Sequence, residues 1–409
     1  MHLRALGGIP WRSHPIRQAS TLARMFLRSA PWALAPAAAL LVLTATPACS
    51  HISPYRGPAL ATPERQFVER PLYSLLLVGD AGEPGAEAAT LVAVRAWVDR
   101  AADRTLVTFL GDNAYPEGLT GAHRREAERS LLRQLEVVAD TSAQALFIPG
   151  NHDWADGGPE GLDAVLAQAA FVGGRARFLP SNGCPGPEVL DLPETEPHVR
   201  LVVLDTQWWL QGEGKPTDDC TPGTPEAIVR ALGDALATDL TVVIAAHHPL
   251  ATHGPHGGFF DWRAHIFPLT HLARWLWVPL PGVGSLYPLA RTHLMPSNQE
   301  LSNGRNRAMR TALSEALASR IRRGPVLYAS GHEHSLQVLR GDVVDYLLVS
   351  GAASQSKITA VGSGPDTLFA HQHAGFMALD VWATGMRLSV VEPTGDGGSD
   401  VAFAIEIPR

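Results

Sequence analysis

The feature that most constrains the fold of this chain is an alternation between apolar runs of strand length and segments of helical periodicity. Helical periodicity covers 86–102, 123–138, 225–237 and 306–321. Because continuous apolar runs are typical of strands buried on both faces, the pattern predicts an α/β fold with parallel or mixed sheets covered by helices. The apolar runs lie at 72–80, 105–112, 145–153, 199–206, 240–249 and 325–334.

The C-terminal part of the chain has a different pattern. Four apolar runs follow one another with glycine-containing turns and no clear helical segment between them. Such consecutive strands are typical of antiparallel sheet, which we therefore predict here. The runs lie at 342–351, 375–383, 385–393 and 401–408.

Polar residues stand where the buried runs end. Because the carboxyl ends of parallel strands meet at one edge of a sheet, we expect these residues to converge on one site. Mixed carboxylate, amide and imidazole ligands suit Fe, Mn or Zn better than Ca or Mg, and Asp112 could bridge two ions. The polar residues are Asp80, Asp112, Asn151, His152, Asp153, His247, His248, His332 and His334.

A pair of neighbouring ions would define the chemistry of such a site. Ions about 3.5–4 Å apart lower the pKa of a water held between them and neutralise phosphoryl oxygens for in-line attack. An imidazole beside the ions can protonate the leaving oxygen, and His152 directly follows the candidate ligand Asn151. Asp153 is predicted to fix the tautomer of His152.

Five motifs at these positions resemble those of the calcineurin-like metallophosphoesterase superfamily, and more narrowly its purple (tartrate-resistant-type) acid phosphatase branch. The resemblance covers the chain from Leu72 to about Gln337. It implies a four-layer α/β/β/α sandwich with the site at the strand ends between two sheets. The motifs are Asp80-Ala81-Gly82, Gly111-Asp112-Asn113-Ala114-Tyr115, Gly150-Asn151-His152-Asp153, Ile244-Ala245-Ala246-His247 and Gly331-His332-Glu333-His334.

The resemblance also implies two sets of metal ligands, with His152 as the donor to the transition state. Most superfamily members carry a histidine at the position of Gly82, whereas Tyr115 stands where purple acid phosphatases place a tyrosinate on ferric iron. The alternative for Tyr115 is packing within its loop. By the resemblance, Fe(III) takes Asp80, Asp112, Tyr115 and His334, and a divalent Fe, Zn or Mn takes Asp112, Asn151, His247 and His332.

Further histidines near the fourth motif are candidates for a metal ligand or for contacts to substrate. Because His248 adjoins His247, the ligand assignment could shift by one residue, although His247 is preferred. The weaker candidates for contacts to substrate are His248, His253 and His256, for which solvated loop histidines are the alternative. His371 and His373 are interpreted as loop residues without a role.

The first 48 residues have the composition of an export signal. An apolar run from Pro31 to Ala48 follows several arginines, and a start at Met25 would give a more compact signal. Cys49 then resembles the lipidated cysteine of bacterial lipoproteins, the alternative being ordinary cleavage that leaves its thiol free. We therefore predict a protein of the bacterial periplasm or cell surface, with a tether at 49–70 and a catalytic domain at 71–409.

Two further segments carry expectations of their own. Cys184 and Cys220 lie in Gly- and Pro-containing loops, and outside the cytoplasm we expect a disulfide between them rather than two free thiols. The aromatic, Pro-interrupted segment at 257–291 is expected to be an insertion with its own small core. The alternatives are a lid over the site and a surface that rests on a membrane.

Charge limits the partners of this chain. The net charge of −7 becomes −12 without residues 1–48, since that segment carries five arginines and no acid. An acidic domain repels a phosphate backbone, so we expect no nucleic acid as a partner. We expect a small phosphorylated substrate and predict no protein partner. The favoured function is hydrolysis of phosphate monoesters by a metal-bound hydroxide, with an acidic optimum. The alternatives are a phosphodiesterase or nucleotidase of the same superfamily and a non-catalytic, metal-containing surface protein.

Overall fold

The computed structural model describes residues 50–58, 70–83, 85, 87–271, 273, 275–319 and 324–408. The predicted export signal at 1–48 and Cys49 lie outside the described residues. The strands are β1 Tyr55–Arg56, β2 Tyr73–Val78, β3 Thr105–Phe109, β4 Gln144–Phe147, β5 Arg177–Phe178, β6 Glu188–Leu192, β7 Val199–Val203, β8 Thr241–Ala245, β9 Val326–Ser330, β10 Leu336–Arg340, β11 Tyr346–Ser350, β12 Thr367–His371, β13 Phe376–Trp382, β14 Gly385–Pro393 and β15 Ser399–Pro408.

Helices and short helical turns connect these strands. The α-helices are α1 Ala88–Val98, α2 Arg124–Glu136, α3 Gly161–Val172, α4 Thr206–Leu210, α5 Pro225–Ala235, α6 Trp262–Ile266, α7 Leu286–Leu289 and α8 Gly304–Ser319. The shorter turns are Ala102–Arg104, Ala155–Gly157, Ser181–Gly183, Pro255–Gly257, Pro268–His271, Val283–Ser285, Ala290–Leu294 and Gln355–Lys357.

The strands form two mixed sheets. The eight-stranded sheet has the order β1-β12-β10-β11-β9-β8-β7-β6, and its strands β7, β8, β9 and β11 are parallel. The seven-stranded sheet has the order β15-β14-β13-β2-β3-β4-β5, and its strands β2 to β5 are parallel. Each sheet therefore contains a parallel part whose carboxyl ends can carry a site.

Side chains along the strands alternate between apolar layers. On β2, Leu75 joins a core between the two sheets, while Leu76 joins a second core under α1 and α2. On β8, Val243 joins the core between the sheets, while Ile244 joins a third core under α5 and α8. Helices thus cover the outer face of each sheet, and the predicted four-layer α/β/β/α sandwich is confirmed.

The predicted antiparallel C-terminal strands form only in part. Strands β13, β14 and β15 are antiparallel neighbours in the seven-stranded sheet. The run at 342–351 becomes β11 of the other sheet, antiparallel to β10 but parallel to β9. The prediction is wrong for this strand because its hairpin with β10 lies beside β9, a pairing between distant segments that local sequence does not specify.

The segment at 50–58, which the sequence assigns to a tether, is bound to the domain. Tyr55 and Arg56 form β1, an edge strand antiparallel to β12. Before it, the Nε2 of His371 lies 2.9 Å from the carbonyl oxygen of Ile52, to which it donates. The tether boundaries at 49–70 therefore need correction at this end, because these hydrogen bonds hold the segment on the sheet edge.

The aromatic insertion expected at 257–291 is made of short helices and turns. It has its own aromatic cluster, in which the ring of Phe267 lies 6.2 Å from that of Trp262 and 5.3 Å from that of Trp277. Backbone hydrogen bonds such as that from Leu280 N to Ile266 O, at 2.7 Å, close the segment on itself. These contacts stay within the insertion, although Trp262 is 41% exposed and Trp277 56% exposed. That the insertion has a small core of its own stays a prediction.

Two observations bear on where the protein resides. Cys184 and Cys220 form the predicted disulfide, which is consistent with an extracellular protein. In the part of the chain that the structure describes, no helix has the length and apolar character needed to cross a bilayer.

Candidate metal centre

Three of the predicted ligands follow strand ends with a backbone conformation that is rare for residues with a side chain. Asp80 follows β2 with φ 61°, Asp112 follows β3 with φ 53°, and His332 follows β9 with φ 67°. This left-handed region costs such residues on the order of 1 kcal/mol each. Strain of this kind clusters at functional sites, and here it occurs at three strand ends from both sheets.

The first group of predicted ligands surrounds the hydroxyl of Tyr115. Its oxygen lies 3.2 Å from Asp80 Oδ1, 3.1 Å from Asp112 Oδ2 and 3.3 Å from His334 Nε2. The same His334 nitrogen lies 3.2 Å from Asp80 Oδ1. One hydroxyl proton cannot serve three acceptors, so the group calls for a further positive charge, either a proton or a metal ion.

The second group converges on the side-chain oxygen of Asn151. This Oδ1 lies 3.1 Å from both His247 Nε2 and His332 Nδ1, and the two nitrogens are 3.3 Å apart. Asn151 Nδ2 donates to Asp156 Oδ1 at 3.1 Å, which leaves the amide oxygen facing the imidazoles. Asp112 Oδ1 lies 3.4 Å from His247 Nε2, so Asp112 offers one oxygen to each group.

Backbone carbonyls determine which nitrogen of each histidine faces the centre. A carbonyl oxygen only accepts, so the ring nitrogen against it carries the proton and the other nitrogen of a neutral ring presents a lone pair. This orientation is typical of histidines that bind metal. His247 Nδ1 donates to Leu110 O at 2.8 Å, His332 Nε2 to Gln299 O at 3.2 Å, and His334 Nδ1 to Lys357 O at 3.0 Å.

These lone pairs point at other acceptors, which is the strongest sign that the residues fit a cation. In the second group, two imidazole lone pairs face the Asn151 oxygen and a carboxylate oxygen with no proton between them. The ligand atoms of Asp80, Asp112 and His247 lie within 4.8 Å of one another, and those of His247, His248 and His332 do likewise. The His and Asp groups of this centre can therefore hold metal ions.

The protonation of the centre depends on such a cation. Burial and the carboxylates of Asp112 and Asp80 raise the pKa of Tyr115 well above its usual value, so its hydroxyl stays neutral unless a cation offsets them. Burial also opposes charge on Asp112, but His247 and other imidazoles around it lower its pKa to about 2. Burial and neighbouring imidazoles lower the pKa of His332, which favours the neutral form that binds metal.

Close backbone contacts bring the ligand loops together. A Cβ on Gly150 would lie 2.3 Å from Asp112 Oδ1, and a Cβ on Gly82 would lie 2.5 Å from the backbone nitrogen of Ala114. Neither position has room for a side chain unless the loops move apart. The histidine that the resemblance places at position 82 in most superfamily members therefore has no space here, and Tyr115 is the added donor in this group.

His152 lies at the rim of the centre. Its Nδ1 donates to the carbonyl oxygen of Pro116 at 2.6 Å, and its Nε2 lies 3.9 Å from Asp112 Oδ2. The imidazole is partly exposed, and its centroid lies 4.5 Å from the ring of Tyr115. A nitrogen that can carry a proton therefore stands between solvent and the shared carboxylate.

Asp153 does not orient His152 as the sequence predicts. Its buried carboxylate accepts hydrogen bonds from the backbone of Asn113, Ala114 and Gly150 and from the side chain of Gln168. Burial and Asp112 raise the pKa of Asp153, while these donors favour its charged form. Asp153 thus joins the loops after β3 and β4, and the carbonyl oxygen of Pro116 rather than Asp153 fixes the tautomer of His152.

Two of the three candidate substrate histidines are engaged elsewhere. His248 is buried, with Nδ1 2.8 Å from Thr206 Oγ1 and Nε2 2.6 Å from Gln299 Oε1, so neither nitrogen is available for substrate. His253 Nε2 pairs with Asp366 at 2.7 Å. The predicted substrate contacts of both stay predictions, and the hydrogen bonds of these ring nitrogens within the protein do not favour them.

His256 is the candidate that lies beside the centre. Its ring centroid is 4.1 Å from that of His332, and its Nδ1 is 3.4 Å from Glu300 Oε1. Arg291 Nε donates to the same Glu300 oxygen at 2.8 Å. The residue just before the insertion thus places an imidazole beside the second group, and Arg291, at the end of the insertion, shares Glu300 with it.

Several residues that shape the centre have no motif in the sequence. Gln299 and Lys357 act through their carbonyl oxygens, which no residue type encodes. Lys357 also places its ammonium 4.4 Å from the centroid of the Tyr115 ring and 3.2 Å from Glu83. Glu333 stands inside the last motif, where the sequence assigns it no role, and its buried carboxylate accepts from the backbone of His256 at 3.0 Å.

His371 and His373, to which the sequence assigns no role, form another group with Glu392. His371 Nδ1 lies 2.6 Å from Glu392 Oε1, and the two imidazole rings are stacked with centroids 5.0 Å apart. Ligand atoms of the three residues lie within 4.8 Å of one another. His371 is therefore a buried histidine with a carboxylate partner rather than a loop residue in solvent.

Comparison with known proteins supports the fold of this chain. No protein-family model and no curated protein matches the sequence. Among solved structures, PhoD matches with a TM-score of 0.50 and 13% identity, over 83% of this chain and 70% of PhoD. This likeness agrees with the metallophosphoesterase-type sandwich expected from the motifs.

Two further solved structures match less well. GAP50, the anchor in the inner membrane complex of Plasmodium, matches with a TM-score of 0.48 and 13% identity, over 82% of this chain and 88% of that chain. A 5′-nucleotidase precursor from Thermus thermophilus matches with a TM-score of 0.29 and 13% identity, over 82% of this chain and 54% of that chain.

Proposed function

We propose that this chain is an exported enzyme that hydrolyses phosphate monoesters at a centre of two metal ions. The observation that carries the proposal is the position of Asp112 between two groups of ligand atoms. It offers Oδ2 to the group around Tyr115, at 3.1 Å, and Oδ1 to the group around Asn151 and His247, at 3.4 Å from the imidazole. Two adjacent groups with one carboxylate in common suit a pair of ions, and paired ions suit phosphoryl transfer.

The residues of the chain have separate tasks in this reaction. Ions bound here would lower the pKa of a water and offset the charge of the phosphoryl oxygens. Asp112 holds the two groups together, because one side chain contributes to both. His152 supplies a proton to the leaving oxygen from Nε2, since its Nδ1 is already committed to Pro116 O.

A cleft beside Tyr115 offers space for the leaving group. Its volume is about 930 Å³, and Tyr115, Pro116 and Lys357 lie at the side nearest the centre. The ammonium of Lys357 is the group that would attract a substrate phosphate there. The remaining charged residues that line the cleft are Glu83, Glu126, Arg129, Arg133 and Glu136. Such mixed charges suit a small substrate better than a long polyanion.

We assign ferric iron to the group around Tyr115 and divalent Fe, Zn or Mn to the group around Asn151. The position of Tyr115 supports this assignment, because its hydroxyl lies 3.2 Å from Asp80 Oδ1 and 3.1 Å from Asp112 Oδ2, where a phenolate could share an ion with both carboxylates. A trivalent ion would also move the activity optimum to acidic pH, since it acidifies bound water more than a divalent ion does. Export is supported by the composition of residues 1–48 and by the Cys184–Cys220 disulfide.

The test compares two substrates on one protein. Turnover of p-nitrophenyl phosphate and of its bis-ester is measured at acidic and neutral pH after loading with iron and a divalent metal. We expect the wild type to cleave the monoester faster than the bis-ester at acidic pH, and Asn151→Ala to cleave neither substrate. Gln144→Ala, at an exposed position of β4, serves as the control and should match the wild type.

Either of two results would contradict the proposal. Preference for the bis-ester at neutral pH would make the protein a phosphodiesterase and would remove the iron assignment of Tyr115. Metal bound in stoichiometric amounts without turnover of either ester would make it a non-catalytic, metal-containing protein.

A further inference from the structure

The insertion exposes an unusual concentration of large apolar side chains. In the part of the chain that the structure describes, fifteen such side chains are exposed, and nine of them lie between 262 and 295. Single exposed apolar residues are common, but a group of them marks a binding surface. We call these nine residues the insertion surface: Trp262, Trp275, Trp277, Val278, Val283, Leu286, Leu289, Leu294 and Met295.

One stretch of this surface has the usual helix pattern reversed. The helical run from Val283 to Leu294 exposes positions 283, 286 and 289, which are three residues apart and therefore lie on one face. Val283 is 61% exposed and Leu286 57% exposed, whereas Gly284 and Pro288 are buried. A surface helix in water normally turns its apolar side chains inward, so this face is adapted to something other than water.

The charge of the insertion differs from that of the domain around it. Residues 262–299 contain three arginines, at positions 263, 274 and 291, and no Asp, Glu or Lys. Asp261 and Glu300 flank this stretch, and Glu300 pairs with Arg291. The chain after residue 48 has a net charge of −12, so this segment is a basic interruption in an acidic protein. Apolar and aromatic side chains together with arginine are the composition of segments that bind anionic lipid surfaces.

The start of the described chain lies close to the base of the insertion. The Oγ of Ser50 accepts from the backbone nitrogen of Val361 at 2.9 Å. The next residue, Gly362, is against the insertion, since a Cβ there would lie 2.6 Å from the ring of Phe259. The segment immediately before Ser50 is the apolar run at 31–48 and the predicted lipidation site Cys49.

We propose that the insertion surface rests on an anionic phospholipid bilayer. The exposed rings and aliphatic side chains would enter the interface, and Arg263, exposed beside Trp262, would contact lipid phosphates. Ser50 fixes the point where the chain leaves the domain, so an anchor on the preceding residue holds the domain against the bilayer on the side of the insertion. The binding does not depend on the hydrolytic activity, and each can fail without the other.

Vesicle sedimentation tests this proposal on residues 50–409, which contain both sheets and all three apolar cores. We expect binding to vesicles of phosphatidylcholine with phosphatidylglycerol, weaker binding to phosphatidylcholine alone, and weaker binding at high salt. Leu286→Ser combined with Leu294→Ser should lower the partition coefficient about tenfold or more, because both apolar contacts are lost. Val189→Ser with Val401→Ser, at exposed positions outside the insertion, should leave it unchanged.

Three results would overturn the proposal. Equal partitioning of the wild type and the Leu286/Leu294 variant would show that the insertion surface is not the contact. Binding of the full chain but not of residues 50–409 would assign the membrane contact to the leader alone. A dimer in solution that the variant dissociates, without any binding to vesicles, would assign the surface to a second copy of the chain.

Discussion

The metal centre and the insertion surface place opposite kinds of residue where proteins usually avoid them. In the centre, Asp80 and His247 are fully buried although they are polar. On the insertion, Trp275 is 77% exposed and Met295 79% exposed although both are apolar. Each arrangement is costly in water alone. The buried polar residues fit a cation, and the exposed apolar residues are the basis on which we propose contact with a bilayer.

The largest expected effect comes from the carboxylate that both ligand groups share. Asp112→Asn keeps the shape of the side chain but removes its charge, so we expect kcat to fall on the order of 10³-fold or more. Asp163→Asn, at an exposed position of α3, is the matched control. An Asp112→Asn protein with more than a tenth of wild-type turnover would show that the centre does not depend on this residue.

His152 should affect turnover without affecting the metals. We expect His152→Ala to lower kcat about 10²-fold to 10⁴-fold, the range for loss of a general acid, with unchanged metal content. His123→Ala, an exposed histidine before α2, is the control for the loss of an imidazole. If metal content falls together with kcat, His152 stabilises the centre and does not act as a proton donor.

The close contact between loops at Gly82 should make a substitution there lower the free energy of unfolding. Gly82→Ala places a Cβ 2.5 Å from the backbone nitrogen of Ala114, and overpacking of this kind lowers the free energy of unfolding by about 1–3 kcal/mol. Denaturant unfolding measures the change. Gly233→Ala is the matched control, because its Cβ would meet nothing within 4 Å, and it should be neutral or stabilising. Equal effects of the two substitutions would remove the packing argument for position 82.

The pair of His371 and Glu392 shows how a buried histidine behaves with a carboxylate partner. Burial lowers the pKa of His371, but the hydrogen bond and charge of Glu392 raise it above the usual 6.5. A raised folded-state pKa gives stability that is complete below pH 6.5 and is lost as the pH rises through the folded-state pKa. In thermal unfolding, Glu392→Gln should therefore lower the melting temperature most at acidic pH and less at alkaline pH. Glu196→Gln, at an exposed position, is the control, and its effect on stability should not change with pH. The same pH-independent effect in Glu392→Gln would contradict a stabilising ion pair between His371 and Glu392.

The smallest expected effect is the change in stability when an apolar residue of the insertion surface is replaced. Leu286 is 57% exposed and its face needs no partner within the domain, so Leu286→Ser should change the free energy of unfolding by less than about 0.5 kcal/mol. Leu313→Ser, at a fully buried position of α8, should cost about 2–5 kcal/mol or more. A large loss of stability in Leu286→Ser would mean that the residue belongs to a core and not to a binding surface.

The ligand groups could be predicted from the sequence because parallel strands leave little freedom at their ends. Asp80 and Asp112 follow neighbouring parallel strands whose carboxyl ends share one edge of the seven-stranded sheet, and His332 follows β9 of the other sheet. The turn after β3 then brings Tyr115 to the same point, three residues after Asp112. The continuous apolar runs of β2 and β8 likewise predicted strands buried on both faces, whereas the four layers of the sandwich were implied only by the resemblance to the superfamily.

What the sequence could not show depends on contacts between distant segments. Asp153 is bound by Asn113 and Gln168, neither of which is marked as its partner by any local pattern. The choice between His247 and His248 depends on which way the strand end turns. Gln299 supports His332 through its backbone carbonyl, which is the same in every residue type. The pairing of β1 with β12 joins segments more than 300 residues apart.

The most direct test of the account is the number of metal ions that the centre holds. Protein stripped with a chelator is reloaded with iron and zinc, desalted and analysed by mass spectrometry of its metals. We predict two ions per chain in the wild type and in His371→Gln, which lacks a ligand of the other histidine group, and loss of both ions in Asp112→Asn. A wild type with less than one ion per chain, or an Asp112→Asn protein that retains two, would contradict the central claim that Asp112 joins two metal sites.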